Sequence, residues 1–315
     1  VVSLFNNHFQ EVFMRCTILI PTHNRPEGLR RAVLSAILAL PQESEILIVD
    51  DRSDPPASDE FKDASGFELR MLRCDSTTGG AAAARNLGLA QAKGDIVFFL
   101  DDDDELQSDY CHHILDHVLP HHPEMAWGYS HTNIAISKAN QDTSKVIKTS
   151  APSPEGPLTG PLSQRLAGFG EGFWVRRDVL DNLGPIDEGF ATNEDTEYCL
   201  RLAAADQLGW YSAKPGAVIH KAVANSTDIG HVTSRTKSNV RARGFLKLLT
   251  QYDALLRRHP KTQKKLQQRF IELASKTQNP ALWQDFRTAF PSAARRKYVI
   301  YKLLSWVQAA QFQKR

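Results

Sequence analysis

The sequence predicts an α/β fold, a doubly wound sheet flanked by helices, with a helical C-terminal extension. Three features predict it. Short apolar runs alternate with helix-patterned segments over the first hundred residues, the order that builds parallel sheets. Carboxylates follow two of those runs directly, at Asp50-Asp51 and at Asp101-Asp102-Asp103-Asp104. Open α/β sheets bind their ligands at those strand ends. Beyond residue 236 almost every segment through residue 312 is compatible with helix.

Taken in order, Cys16-Thr17-Ile18-Leu19-Ile20 reads as the first strand. Thr22-His23-Asn24-Arg25-Pro26 forms a capping turn with proline near the first helical position. Leu29, Val33, Ala36, Ile37 and Leu40 then share one helical face. The second strand spans 45–49, and after a loop holding Pro55-Pro56 the third spans 68–73. Gly79-Gly80 opens an alanine-rich helix through Leu89, Gly94 closes it, and residues 95–100 form the fourth strand. Residues 108–119 read as helix, 125–136 as strand, and 137–165, rich in Ser, Thr, Pro and Gly, as a long loop.

Composition is that of a soluble globular protein, with 42% hydrophobic and 23% charged residues among 315. No run approaches the roughly 18 apolar residues of a spanning helix. Residues 1–14 are set aside as an N-terminal extension. The four cysteines, Cys16, Cys74, Cys111 and Cys199, show no C-x-x-C spacing and read as buried thiols of a reducing compartment. The net charge of +2 hides an asymmetry. Residues 231–315 carry 19 basic and 3 acidic residues, a balance of +16; residues 1–230 carry 19 and 33, a balance of −14. Such a split suggests two surfaces with different partners.

Four adjacent carboxylates repel one another unless a cation or a hydroxyl-rich ligand offsets them. Their company makes the motif specific. Pro21-Thr22-His23-Asn24-Arg25, Val49-Asp50-Asp51-Arg52-Ser53, the stretch from Gly79-Gly80 through Arg85 to Gly88, and Phe99-Leu100-Asp101-Asp102-Asp103-Asp104 resemble the donor-binding half of family 2 glycosyltransferases. Residues 176–180, 184–190 and 194–202 resemble the acceptor half, and the resemblance covers residues 15–225. It implies the GT-A fold, a Rossmann-like mixed sheet flanked by helices. It also implies a domain at 15–230, divided into a nucleotide-binding half (15–105) and an acceptor half (106–230), ahead of a basic helical region at 231–315.

By the same resemblance Asp51 accepts a hydrogen bond from the base of a nucleoside diphosphate, UDP above all, with Pro21, Thr22 and His23 lining that pocket. Gly79 and Arg85 lie near ribose and phosphates. Asp101 holds the ribose hydroxyls, Asp102 belongs to the donor site, and Asp103 coordinates Mn²⁺ or Mg²⁺, with the register open by one position. His220 either completes the metal shell or is structural. Asp195 is the general base, oriented by Glu194, and the implied reaction is a single displacement with inversion. Glu171 and Trp174 fall where the acceptor packs, although Trp174 and Phe173 equally suit a core. His231, Arg235 and Lys237 suit either a lid or a linker. The histidine pairs 112–113 and 121–122 read as solvated.

The expected acceptor is a hydroxyl of a glycan or lipid-linked saccharide in bacterial surface polysaccharide synthesis. Basic residues alternate with Tyr298, Val299, Ile300 and Trp306 in the C-terminal helices. This suits either peripheral contact with an anionic membrane at the cytoplasmic face or docking on the domain, and a homodimer through these helices is a further option. No nucleic-acid docking motif accompanies the charge. The rival readings are a sugar nucleotidyltransferase, disfavoured because Thr22–Pro26 replaces its glycine-rich loop, and an inactive glycan- or membrane-binding module, disfavoured by intact Asp103 and Asp195.

Overall fold

The computed structural model describes residues 14–57, 68–74, 79–137, 144–147, 151, 153–222, 236–277 and 279–312. The predicted elements form with small shifts. Strand β1 (Cys16–Thr22) is buried along its whole length, because α1 (Pro26–Ala39) covers one face of the sheet and α2 (Ala81–Gln91) the other. A strand buried on both faces reads as a continuous apolar run. β2 (Glu45–Asp50) and β3 (Glu68–Arg73) pair with it in parallel order, and β4 (Ile96–Phe99) lies on its other side.

The sheet then becomes mixed, as expected. β9 (Trp174–Arg176) runs antiparallel between β4 and β6 (Trp127–Ser137). β10 (Gly209–Ala222) pairs parallel with β6, and β5 (Glu105–Leu106) pairs antiparallel with β10. The resulting order is β3-β2-β1-β4-β9-β6-β10-β5. Chain direction after β1 departs toward β2, while β4 enters on the opposite flank; the crevice at such a switch point collects ligands.

The predicted helix at 108–119 forms as α3 (Tyr110–His112), a π-helical turn (His113–Val118) and α4 (Leu119–His121). One expectation needs correction. The expected loop at 137–165 contains β7 (Ser144–Ile147), which pairs antiparallel with β6, β8 (Gly156–Pro157), which pairs with β10, and a 3₁₀ turn at Leu162–Arg165. Their β character comes from pairing with a long neighbouring strand, a tertiary cause that local composition does not carry.

α5 (Arg177–Leu183) and α6 (Glu194–Ala204) complete the α/β part. The C-terminal region is helical as predicted: α7 (Ser238–Gln251), α8 (Asp253–Arg258), α9 (Pro260–Ser275), α10 (Pro280–Ala289) and α11 (Pro291–Phe312). Two apolar cores sandwich the sheet. A third unites the C-terminal helices with Phe190, Leu200 and Ala203 at and beside α6. All four cysteines are free and buried. Among the described residues no helix is long and apolar enough to cross a membrane.

Candidate active site

The ends of β1, β2 and β4 lie side by side. The Asp51 amide donates to the Thr22 carbonyl at 2.8 Å, so the acidic end of β2 is tied to the turn after β1. His23 is exposed, and its Nδ1 lies 2.6 Å from the Asp51 carbonyl oxygen, which holds the ring at the crevice edge. The Asp51 carboxylate accepts from the Gly80 amide at 2.6 Å and from Arg52 Nε at 3.1 Å. Gly79 has φ +53, and a Cβ there would stand 1.5 Å from the Arg52 guanidinium. The positive φ favours glycine there, whereas the guanidinium is the movable end of an exposed side chain. Its neighbour Asp50 is structural: Ser53, Ala57 and Arg73 all donate to its carboxylate.

The four aspartates divide. Asp101, Asp103 and Asp104 bring carboxylate oxygens within 4.8 Å of one another. Asp102 turns the other way, accepting from Thr22 Oγ1 at 2.8 Å, the His23 amide at 3.3 Å and Arg25 Nη1 at 2.9 Å. It is buried with both oxygens engaged, so it braces the β1–α1 turn. Thr22 spends its hydroxyl on the same brace, and Pro21 is buried in β1. Arg25, for which the sequence suggested no role, also holds Asp103 at 2.7 Å. The sign to look for was electrostatic: four neighbouring carboxylates require a nearby cation, and Arg25 ends the turn that faces them.

The triad suits a hard divalent ion, because all its donors are carboxylate oxygens. Its charge is incompletely offset within the protein. Burial, with repulsion from Asp101 and Asp103, pushes the Asp104 carboxyl up to about 8. Gly170 closes over the group; a Cβ there would stand 2.9 Å from Asp104 Oδ2 and 3.1 Å from Asp101 Oδ2. His220 does not join. Its Nε2 lies 2.6 Å from Glu105 Oε1, while its amide donates to Asp104 Oδ1 at 2.9 Å. The His220 ring is thus held by the Glu105 carboxylate of β5, and its backbone rather than its ring meets the triad.

Arg85 bridges the carboxylate triad and the start of α6. Its buried guanidinium donates to Asp101 at 2.5 Å and to Glu194 at 3.1 Å, and lies 5.0 Å from the Phe169 ring centre. Glu194 and Asp195 start α6 just after Asn193, whose φ of 72 turns the chain into the helix. Asp195 Oδ1 accepts from the Thr196 amide at 2.5 Å and hydroxyl at 3.2 Å; among the described residues Oδ2 has no hydrogen bond. Burial and then the Glu194 charge push the Asp195 carboxyl up to about 7, against the pull of Arg85.

Glu171 faces the same point. A Cβ on Gly168 would be 3.5 Å from Asp195 Oδ2 and 3.8 Å from Glu171 Oε1, and burial raises the Glu171 carboxyl. Trp174 does not reach the cleft. It is fully buried against Gly128, as is Phe173 against Phe99, and both belong to the core. Of the two readings the sequence offered for Trp174, its position in β9 is the core one. His113 is not solvated, bonding Glu155 at 2.8 Å, and His122 packs on Trp210 at 4.5 Å. His231 and Arg235 lie outside the described residues.

The family description Glycosyl transferase family 2 matches residues 17–184, a span that ends before Glu194. An uncharacterized glycosyltransferase of Haemophilus influenzae is 30% identical over 135 residues, 42% of this chain and 52% of that protein. Succinoglycan biosynthesis protein ExoW of Rhizobium meliloti is 34% identical over 100 residues, 30% of this chain and 31% of that protein. The first curated relatives are spanned over only 16% to 61% of their lengths. The structure of S. aureus TarS 1–349 in complex with UDP-GlcNAc superposes with a TM-score of 0.59 at 18% identity, covering 96% of this chain and 93% of that one.

Proposed function

Because the chain belongs to glycosyl transferase family 2, we propose that it is a metal-dependent, inverting enzyme of the GT-A fold. It moves a sugar from a nucleoside diphosphate, UDP first, to a hydroxyl of a glycan or lipid-linked saccharide. The observation that carries this reading is Arg85, which ties Asp101 of the carboxylate triad to Glu194 beside Asp195. Donor-side acids and a base of raised affinity for protons thereby meet across one guanidinium. The UDP-sugar complex of the similar TarS fold supports the choice of donor class, and ExoW supports polysaccharide synthesis as the setting.

In this reading the exposed His23 ring and Asp51 receive the base. Arg52, exposed over Gly79, swings from Asp51 toward the diphosphate. Asp101, Asp103 and Asp104 would hold Mn²⁺ or Mg²⁺, which when bound would supply Lewis-acid stabilisation of the leaving diphosphate. Asp195 Oδ2 takes the proton of the acceptor hydroxyl, whose oxygen attacks the anomeric carbon from the face opposite the leaving group. Glu171, beside it across Gly168, binds a neighbouring acceptor hydroxyl. The domain division at residues 15–105, 106–230 and 231–315, and peripheral contact of the last region with an anionic membrane, are parts of the same proposal.

A thermal-shift screen of UDP, GDP, CDP and dTDP tests the donor assignment. UDP with Mn²⁺ raises the melting temperature, since ligand at a hundredfold its dissociation constant adds about 2.7 kcal/mol to stability. UDP release from UDP-GlcNAc and other UDP-sugars then falls at least a thousandfold in Asp195→Asn. No shift with any nucleotide in the presence of metal overturns the reading.

A further inference from the structure

The helix that opens with Glu194 and Asp195 is gripped from behind by the C-terminal helices, at two places. The first is Glu197, one turn into α6 and fully buried. Its Oε1 accepts from the Tyr252 hydroxyl at 2.5 Å and from Arg201 Nε at 3.2 Å, and its Oε2 accepts from Arg201 Nη2 at 2.5 Å. Tyr252 sits between α7 and α8 and is itself buried. Arg201 in turn donates to the carbonyl of Pro185 at 2.6 Å, fixing the segment that leads into α6.

The second place is that leading segment. Lys247 of α7 pairs with Asp187 at 2.7 Å and lies 4.2 Å from the Phe190 ring centre. From the donor side, the Asn86 side chain of α2 donates to the Ile186 carbonyl at 2.9 Å and accepts from the Ile186 amide at 2.8 Å. Residues 186–195 are therefore clamped between the nucleotide-side helix and the C-terminal helices. A buried carboxylate with four donors, Gln251 Nε2 at 3.5 Å being the fourth, has one geometry, and a charge-assisted bond of this kind is strong. Rotation of α6 about its axis would break it.

We propose that Tyr252, acting through Glu197, is a positioning residue that sets Asp195 against the donor cleft, so that the C-terminal helices form part of the catalytic framework. The inference rests on the reading of Asp195 as base. It assigns a role to a region outside the matched family span, where the α/β part alone would leave α6 with one flank uncovered. Small displacements of a catalytic group cost rate steeply, about a hundredfold per ångström.

The test uses the full chain with Tyr252→Phe, Lys247→Met and Asp195→Asn. Hydrogen exchange is read without substrate: in Tyr252→Phe, amides of residues 194–197 exchange at least tenfold faster while those of α2 keep the wild-type rate. With the UDP-sugar that the wild type hydrolyses, kcat falls at least tenfold in Tyr252→Phe and the UDP dissociation constant with Mn²⁺ stays within twofold. Lys247→Met, altering a half-exposed ion pair, keeps the fold if Tyr252→Phe does not, and shows the same split more weakly. A purely architectural role lowers the melting temperature but leaves kcat per folded enzyme unchanged, which overturns the proposal. So does wild-type exchange at residues 194–197. If Asp195→Asn retains wild-type turnover, the base assignment itself falls; if it is inactive while the other variants turn over normally, only the positioning role falls.

Discussion

As the proposed base, Asp195 carries opposite demands. A base must ionise near working pH, and its carboxyl is held up to about 7 by burial and by Glu194. Activity that needs the anion rises about tenfold per pH unit below 7 and levels above it. Glu194→Gln removes the repelling charge and frees Arg85 for Asp195. Both changes lower the Asp195 pKa, so the acidic limb of the kcat profile moves to lower pH. The stability sign is the reverse of activity. A carboxyl whose folded pKa exceeds its ordinary 3.8 costs stability as pH rises from about 4 to 7. Asp195→Asn, whose amide oxygen still accepts from Thr196, is expected to melt higher than wild type at pH 8 and equal to it near pH 4. Differential scanning calorimetry at the two pH values reads this directly.

At the scale of elements, the crevice depends on how closely α2 lies on β1 and β2. A Cβ on Gly88 would stand 2.2 Å from Leu19 Cδ1 and 3.1 Å from Val49 Cγ2. Gly88→Ala therefore lifts the helix that carries Arg85, at a cost of about 1–3 kcal/mol. Urea unfolding reads the loss as a lowered midpoint with unchanged m-value. The UDP-sugar turnover drops as well, because Arg85 leaves both Asp101 and Glu194. The alternation of strands and helices made these elements legible in advance, since burial on both faces forces apolar runs such as residues 16–20. What local pattern missed was β7, β8 and the extension of β1 through Thr22. Their strand state comes from a partner elsewhere in the sequence.

Across the whole molecule, charge and packing divide the C-terminal helices. Their inner faces form a core with α6, and stacked Trp283 and Tyr301, 4.3 Å apart, anchor α11 to α10. Elsewhere α11 leaves Val299 and Ile300 more than half exposed beside exposed Arg295, Arg296 and Lys302, while Tyr298, also exposed, lies 6.0 Å from the Trp283 ring centre. Apolar side chains within a basic field suit an anionic lipid interface. Co-sedimentation with phosphatidylglycerol vesicles is expected to retain the protein at low salt, with little retention on phosphatidylcholine. Val299→Glu/Ile300→Glu should release it while leaving turnover of a water-soluble donor unchanged. Equal binding to both lipids, or none, removes the membrane from the proposal.

By itself the sequence determined the α/β order, the acidic strand ends, and the candidates Asp51, Arg85, Asp101, Asp103 and Asp195. The first two rest on local rules, burial periodicity and carboxylates placed where a strand must stop; the candidates rest on the resemblance of their motifs to family 2 glycosyltransferases. Only the tertiary structure decided which candidates face the cleft. Asp102 turned to Thr22 and Arg25, His220 to Glu105, and Trp174 into the core, because each found a nearer partner across the fold. The same long-range pairing made Tyr252 a neighbour of the Glu194–Asp195 helix, 55 residues from Glu197 in the chain. Side-chain orientation is set by competition among partners distant in sequence, and that competition is resolved only when the chain has closed on itself.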